Sequence, residues 1–499
     1  MKQPVQTSPT SSGVYAWEQS RAIIDIGSNT VRLVVYGGPP RAPVTLLNEK
    51  VTAKLGKHVA ETGKLSQKAV AGVLAALARY KALIDLAGVP RVDVVATAAA
   101  RDASNGAAFL ERVRAIGFEP RLLSGVEEAE TSATGVLGAF PEAEGIVGDL
   151  GGGSLELVDV AQSGSSHGVS LPLGSLRLPP LRAKGDRVFV REIGKLLAKA
   201  DWVAEPGATL YLVGGPMRAL ARAMMVRLDW PFEDTHGFAL DTGEALALAR
   251  QLARRGQALK PIEGVATSRL SSIPDAAALL GVLLQRLQPG RVVFSSWGLR
   301  EGVLFGSLDE AAQKQNPLLA GVMAFVAPMA VDVALVDAAV EWMAGVVPMA
   351  RTPLGRAAVA LCMAAGRVEP NVRRDLPGDW GLSKRWVGVD NAGRGVLAAA
   401  LRGSVGKGPK VGLGPKAEFA PEPWARLASP AMLAEARGLG LAARLCRRMS
   451  AGSTAVIAAT QLEAEGGALR LSSRVPQLVG DGSSRDLKEL AQHLGLVVA

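Results

Sequence analysis

Little in this chain suggests a redox protein or a classical metal-binding protein. Only two cysteines occur in 499 residues, Cys362 and Cys446. Each lies in an apolar, helix-like context, which argues against a disulfide framework and points to buried thiols in a reducing compartment. The four histidines, His58, His167, His236 and His493, are scattered, so no His/Cys zinc cluster is available. No run of about 18 uncharged apolar residues occurs, which argues against integral membrane contact. Even around 318–347, Asp332, Asp337 and Glu341 interrupt the pattern at helical spacing. Residues 1–20 are rich in Ser, Thr and Gln, lack the apolar core of a signal peptide, and read as a disordered tail. The expected location is the cytoplasm.

What is present is apolar residue in quantity and an excess of positive charge. At 48% hydrophobic and 20% charged, the chain is long enough for several domains with real cores. Its net charge of +10 favours a polyanionic partner. On charge alone, membranes and nucleic acids qualify too.

Two glycine-punctuated loops organise the first half: Asp25-Ile26-Gly27-Ser28-Asn29-Thr30 and Asp149-Leu150-Gly151-Gly152-Gly153-Ser154. Each stands between two apolar runs and reads as the tight turn of a β-hairpin with an Asp at its entrance. Glycines let backbone N–H groups converge on an anion, and Ser28, Thr30 and Ser154 add hydroxyl donors, a combination suited to phosphate. An acid beside three glycines repels an anion unless a cation intervenes. Asp149 therefore suggests a metal-bridged phosphate, and Glu156, on the outgoing strand, is a second candidate ligand for Mg²⁺, with Mn²⁺ as the alternative.

The segments around the loops repeat one plan: hairpin, third strand, helix, strand, helix. The first lobe shows strands over 22–27, 31–36 and 44–55 and a helix over 66–86 capped by Ser66. This duplication implies two related α/β domains with a cleft between them. Arg101, at the carboxyl end of the strand 92–96, is placed for an anion contact. Glu127 and Glu128 fall in the first turn of a helix, where they either complement its dipole or supply a general base. Val213-Gly214-Gly215 leads into a helix whose N-terminus faces a ligand. The 295–302 loop is expected either to bring Arg300 and Glu301 within reach of the cleft or to form a local salt-bridged helix cap.

From about 309 the pattern becomes helical. Residues 351–450 hold 17 Lys or Arg against 7 Asp or Glu. Arg373-Arg374, Lys384-Arg385, Arg447-Arg448 and Lys407, Lys410 and Lys416 make a polyanion surface plausible. The final segment reads as a hairpin over 454–462 and 468–475 followed by a helix over 484–494. The expected division is a tail at 1–20, lobe I at 21–126, lobe II at 127–308, a basic helical domain at 309–450 and a small α+β cap at 451–499.

These residues resemble the exopolyphosphatase/guanosine pentaphosphate phosphohydrolase (Ppx/GppA) family, within the actin, hexokinase and ribonuclease H-like superfold. The matching stretches are 24–35, 96–103, 123–129, 149–156, 172–174, 213–215 and 299–302. The resemblance implies that a metal-activated water attacks the terminal phosphate of polyphosphate and releases orthophosphate. It aligns Glu127 with the general base and Asp149 and Glu156 with Mg²⁺-linked acids. Gly27, Ser28, Asn29, Thr30, Arg101, Gly151, Gly152, Gly153 and Ser154 become the phosphate-binding set. The expected partner is inorganic polyphosphate, with guanosine penta- or tetraphosphate as the second candidate and DNA as none; relatives suggest a homodimer.

The match has departures. Ser271 stands where the family has Asp, and Asp275 where it has a small residue. In longer relatives the helical domain resembles His/Asp phosphohydrolases, but no His lies between 237 and 492 here. The resemblance then implies no second metallohydrolase site, and Arg373, Arg374, Lys384 and Arg385 are expected to wall a polyphosphate channel. The competing functions are a guanosine pentaphosphate 5′-phosphohydrolase, a non-catalytic polyphosphate or alarmone sensor, and a sugar or acetate kinase. The last is disfavoured by the Ser-Gly-x-Glu-Glu-Ala segment.

Overall fold

The computed structural model describes residues 17–161, 164–200, 202, 205–254, 260–406, 410–411, 418–419 and 422–499. Residues 1–16 of the expected tail, and Lys407 and Lys416, lie outside them. The chain divides into two compact units. One runs to Leu228 and resumes over Phe238–Lys314; the other takes Asp229–Gly237 and Gln315–Ala499.

The first unit contains two mixed sheets. In one, β1 (Arg21–Ile26), β2 (Val31–Gly37), β3 (Val44–Val51), β4 (Arg91–Ala96) and β5 (Pro120–Leu122) lie in the order β3-β2-β1-β4-β5. The hairpin strands β1, β2 and β3 pair antiparallel, and β1, β4 and β5 run parallel. In the other, β6 (Gly145–Leu150), β7 (Leu155–Ala161), β8 (Gly164–Leu171), β9 (Thr209–Val213), β10 (Ala239–Asp241) and β11 (Arg291–Phe294) lie in the order β10-β11-β9-β6-β7-β8. Its antiparallel β6-β7-β8 and parallel β6-β9-β11 repeat the first plan. The duplication read from the sequence is therefore present for all five strands of the first sheet, with β10 an additional antiparallel edge strand in the second.

Local chemistry explains the elements. The helix Gln67–Ala87 starts at Ser66, whose hydroxyl accepts from the Ala69 N–H at 3.3 Å, and ends on left-handed Gly88. It buries Val70, Val73, Leu77, Tyr80 and Ile84 at three- and four-residue spacing. Each large apolar side chain so buried contributes about 1.5–3 kcal/mol before entropy is counted. The third strand ends at Val51, short of the expected 55, because the chain turns onto the first glycine loop. There the Lys54 N–H donates to Asn29 O at 3.0 Å and the Gly56 N–H to Ser28 O at 2.8 Å.

The two lobes, expected as separate domains, fall within one unit. Ile23, Val34 and Tyr36 of the first sheet share a buried cluster with Leu304 from the helix Leu299–Phe305. The segment 267–287 is long and apolar enough to cross a membrane. It is nonetheless a core element: its helix Ile273–Leu287 buries Ile273, Leu279, Leu280, Leu283 and Leu287.

The second unit is built on Pro353–Ala365, Asn391–Val405 and Pro430–Ser450. Small residues let the last two approach closely: a Cβ on Gly440 would collide with the Ala400 carbonyl. Cys362 and Cys446 are buried free thiols, and burial pushes both up to about 12. The unit starts later than the expected residue 309, since Glu310–Lys314 packs with the first unit. Near the C-terminus, strands Thr460–Glu465, Ala468–Ser473 and Val497–Val498 form a three-stranded sheet beside the helix Asp481–Leu494. The expected start of that hairpin at 454 is instead a helical turn, Thr454–Ile457.

Candidate active site

Each glycine loop spans four residues between hydrogen-bonded strand ends, Ile26↔Val31 and Leu150↔Leu155. The same bond closes both: Gly27 N–H to Thr30 O at 3.0 Å, and Gly151 N–H to Ser154 O at 3.0 Å. The loops face each other. A Cβ on Gly152 would stand 2.9 Å from the Asn29 backbone nitrogen, and one on Gly153 2.7 Å from Ser28 Oγ. Only residues without a side chain permit this approach. The Gly174 turn braces the second loop, with Ser175 N–H donating to Gly151 O and Leu176 N–H to Gly152 O, both at 3.0 Å.

A cleft of ≈ 900 Å³, partly open to solvent, lies over the loops. Gly27, Ser28, Asn29, Thr30, Gly151, Gly152, Gly153 and Ser154 all line it, as do Asp25, Asp149 and Glu128. Glu127 does not. It is exposed and completes the cap of the helix Gly125–Ala139: its Oε2 accepts from Ser124 N–H at 2.8 Å while its own N–H donates to Ser124 Oγ at 3.1 Å. The Ser124 N–H also holds the Glu127 carboxyl below the usual range, so it is a poor proton acceptor at neutral pH. Glu127, the expected base, is thus placed in the helix cap and outside the lining of the cleft.

Glu128, one residue further round the helix, turns inward and is 7% exposed. Burial pushes its carboxyl up to about 7; Arg101 pulls the other way, while the negative charges of Asp149 and Asp25 push further. Arg101 Nη1 donates to Glu128 Oε2 and to Leu123 O, both at 3.0 Å. Arg101 is thus not a lining residue of the cleft, as the anion-contact expectation required, but the group that orients Glu128.

The expected pair Asp149 and Glu156 are register partners across β6 and β7, yet only Asp149 lines the cleft. Asp149 Oδ2 accepts from Ser132 Oγ at 2.6 Å. Glu156 is 1% exposed and accepts from Ser170 Oγ at 2.9 Å. Burial, then the charges of Glu128 and Asp149, push it well above the carboxylate range. Asp25, which does line the cleft, occupies in the first loop the position Asp149 holds in the second. Among the described residues no three His, Cys, Asp or Glu side chains are arranged to enclose a metal ion. Asp25 and Asp149 together do fit an ion of the magnesium type, which keeps waters and completes its shell on substrate phosphates.

Four arginines line the same cleft: Arg32, Arg218, Arg269 and Arg300. Arg32 sits between Asp25 on β1 and Lys50 on β3 in one cross-strand row. Like charges directly opposed destabilise a sheet. Burial lowers the Arg32 guanidinium, and burial followed by the charges of Arg269, Arg32 and Arg218 lowers the Lys50 ammonium. An anion in the cleft relieves that repulsion. Burial alone would also lower Arg300, but Glu301, Tyr36, Asp25 and Asp149 around it push it up. The corresponding row in the second sheet, Asp149, Glu156 and Ser170, carries no cation. The cleft thus sets guanidiniums and carboxylates side by side.

Sequence reasoning reached Arg300 and missed the other three. Arg32 lies two residues past Thr30, on the same strand face, and Arg218 in the first turn after Gly214-Gly215. Arg269 occupies the space that a side chain on Gly215 would need. Arg269→Ala is expected to raise KM for a phosphate-chain substrate roughly tenfold, the scale of one charge-assisted hydrogen bond, with a smaller change in kcat. Initial-rate kinetics check this.

The four residues expected to wall a polyphosphate channel each have local partners of their own. Lys384 Nζ sits over the rings of Phe325 and Trp386 at 4.8 and 4.9 Å. Arg385 pairs with buried Asp234 at 2.5 Å, and Arg374 is exposed beside Asp375 at 3.9 Å. Arg373 lines a cavity within the helical unit.

A model of the Ppx/GppA phosphatase family matches residues 34–311. Exopolyphosphatase 1 of Mycobacterium tuberculosis (strain ATCC 25618 / H37Rv) is 27% identical over 319 residues, 58% of this chain and 88% of that protein. Retrograde regulation protein 2 of Saccharomyces cerevisiae is 26% identical over 334 residues, 60% of this chain and 57% of that protein. The crystal structure of the Aquifex aeolicus Ppx/GppA family member is 28% identical, with a TM-score of 0.49 over 57% of this chain and 96% of that one. The exopolyphosphatase structure from Cytophaga hutchinsonii ATCC 33406 shares the fold at a TM-score of 0.50 and 23% identity, over 57% of this chain and 97% of that one. With both glycine loops and Glu128 inside the matched stretch or beside it, the chain belongs to the Ppx/GppA phosphatase family.

Proposed function

We propose that the chain is an exopolyphosphatase that hydrolyses the terminal phosphoanhydride bond of inorganic polyphosphate. The observation that carries this reading is Glu128: a buried carboxyl pushed up to about 7, tethered by Arg101, in a cleft floored by two apposed anion loops. A general base works best when its pKa lies near the working pH. Glu128 accepts a proton from water, the water oxygen bonds to the terminal phosphorus, and the bridging P–O bond breaks. The shortened chain keeps the leaving oxygen, and orthophosphate departs.

The loop N–H groups and Arg32, Arg218, Arg269 and Arg300 hold the phosphate oxygens in line for this attack, the main demand of phosphoryl transfer. Asp25 and Asp149 are the residues that would hold Mg²⁺, or Mn²⁺ in its place; bound there, it supplies charge neutralisation to the phosphate oxygens. The exopolyphosphatase names carried by relatives support the polyphosphate reading, as does the number of cations lining one cleft.

Orthophosphate release from long-chain polyphosphate and from guanosine pentaphosphate, measured side by side, tests it. Faster release from the nucleotide would assign the chain to the pentaphosphate phosphohydrolases instead. Chelation of divalent cations is expected to abolish release from polyphosphate. Asp25→Asn and Asp149→Asn are each expected to raise the Mg²⁺ concentration needed for half-maximal activity at least roughly tenfold, since each removes one of two carboxylate ligands. Unchanged metal dependence in both variants would remove the metal from this site.

A further inference from the structure

Within the helical unit, a cavity of ≈ 780 Å³, partly open to solvent, is walled by Arg367, Arg373, Arg444, Arg447 and Arg448. Two carboxylates answer them. Asp486 lies 3.2 Å from Arg444 and 2.5 Å from Arg448, and Glu489 lies 2.5 Å from Arg444. Among the described residues, neither Arg367, Arg373 nor Arg447 forms an ion pair.

Arg373 and Arg447 are held instead by neutral acceptors. Arg373 donates to Val368 O at 3.0 Å and to Gly366 O at 3.1 Å. Arg447 donates to Cys362 O at 2.6 Å and to Ser404 Oγ at 3.0 Å. Carbonyls orient a guanidinium without cancelling its charge. Burial lowers Arg447; Cys362 and Asp486 pull the other way, while the like charges of Arg373 and Arg444 lower it further. Two glycines give the guanidiniums room: a Cβ on Gly452 would come within 2.9 Å of Arg367 Nη2, and one on Gly366 within 2.8 Å of Arg447 Nε.

Three fixed guanidiniums without an ion pair, beside two that share carboxylates, around a hollow partly open to solvent form an arrangement that recognises phosphate oxygens in bidentate fashion. A single carboxylate would leave most of the charge unmatched, and a nucleic-acid backbone needs an open track where this site is a pocket. We propose that the cavity binds a phosphoanhydride, either an inorganic oligophosphate or the phosphate chain of a nucleotide. The proposal goes beyond the reading of the cleft and does not depend on it.

The test uses the full chain carrying Glu128→Gln, so that turnover does not consume the probe. Calorimetric titration with tripolyphosphate is expected to resolve binding that Arg367→Glu or Arg448→Glu weakens about tenfold or more, the loss of one charge-assisted contact. Arg367 has no side-chain partner among the described residues, so Arg367→Glu removes none of the bonds that hold the helices together, and circular dichroism checks the fold. A parallel titration with guanosine 5′-triphosphate separates the sources: sensitivity to Arg367→Glu there assigns the site to nucleotides, and sensitivity with tripolyphosphate alone assigns it to the inorganic chain. Unchanged tripolyphosphate and nucleotide binding in both folded variants overturns the proposal. If the wild-type chain releases no orthophosphate from polyphosphate while Arg367→Glu still weakens tripolyphosphate binding, the cleft reading fails and this site stands.

Discussion

Replacing Glu128 with Gln is expected to lower kcat by roughly 10²–10⁴-fold, the usual contribution of a positioned general base, while making the protein more stable. The two effects share one cause. Burial pushes the Glu128 carboxyl from its ordinary 4.5 up to about 7, so between those values the native state binds more protons than the unfolded chain. Stability therefore falls as pH rises through that window. Gln carries no charge to desolvate, and above pH 7 Glu128→Gln should gain about 1–3 kcal/mol of unfolding free energy. Glu127→Gln should do the reverse: it keeps turnover close to wild type and weakens the helix cap. In the wild type, kcat/KM should rise with pH through a midpoint near 7, a limb that Glu128→Gln lacks. Denaturant titration at pH 8 and a pH–rate profile check all of this. If Glu127→Gln, and not Glu128→Gln, abolishes turnover, the assignment made from the structure is wrong.

Gly152→Val is expected to cost at least roughly 10²-fold in kcat/KM with little change in secondary structure. Its Cβ would stand 2.9 Å from the Asn29 nitrogen and 3.1 Å from Ser28 Cβ, closer than side-chain carbons approach a backbone. The neighbour is main chain and cannot swing aside, so the loops must separate. A shift of about 1 Å in phosphate-holding groups suffices for a loss of that size. Gly72→Ala is the control, because nothing lies within 4 Å of its Cβ position. Orthophosphate release and far-UV circular dichroism distinguish the outcomes; wild-type activity in Gly152→Val would mean that the loops do not act as a pair.

Much of this site was legible before any coordinates. Both glycine loops, their hairpin setting and the duplicated plan follow from short-range patterns: apolar runs, turn residues and strand alternation. The different placements of Glu127 and Glu128 were legible as well. Ser124-x-x-Glu127 is the capping-box spacing, which commits Glu127 to the helix end and leaves the next residue to face inward.

Other features depend on partners far away in the chain. Arg101 is taken up by Glu128 across 27 positions, and Arg385 by Asp234 across 151. Neither pairing leaves a local trace, so arginines that look alike as a string diverge into an orienting tether, a structural ion pair and the wall of a cavity. The metal question has the same origin. Asp149 and Glu156 are neighbours across a hairpin, but which of two neighbours meets solvent is decided by Ser170 and Glu128, brought in from other elements.

One close crossing of helices carries a mechanical consequence. A Cβ on Gly302 would strike the Thr131 carbonyl, and one on Gly135 the carbonyl of Gly298, so Gly125–Ala139 and Leu299–Phe305 touch backbone to backbone. The first bears Glu128 and the second Arg300. Glu128 and Arg300 are thereby mounted on a single lever, and their separation is set by main chain in contact with main chain, which leaves no soft layer of side chains for thermal motion to stretch.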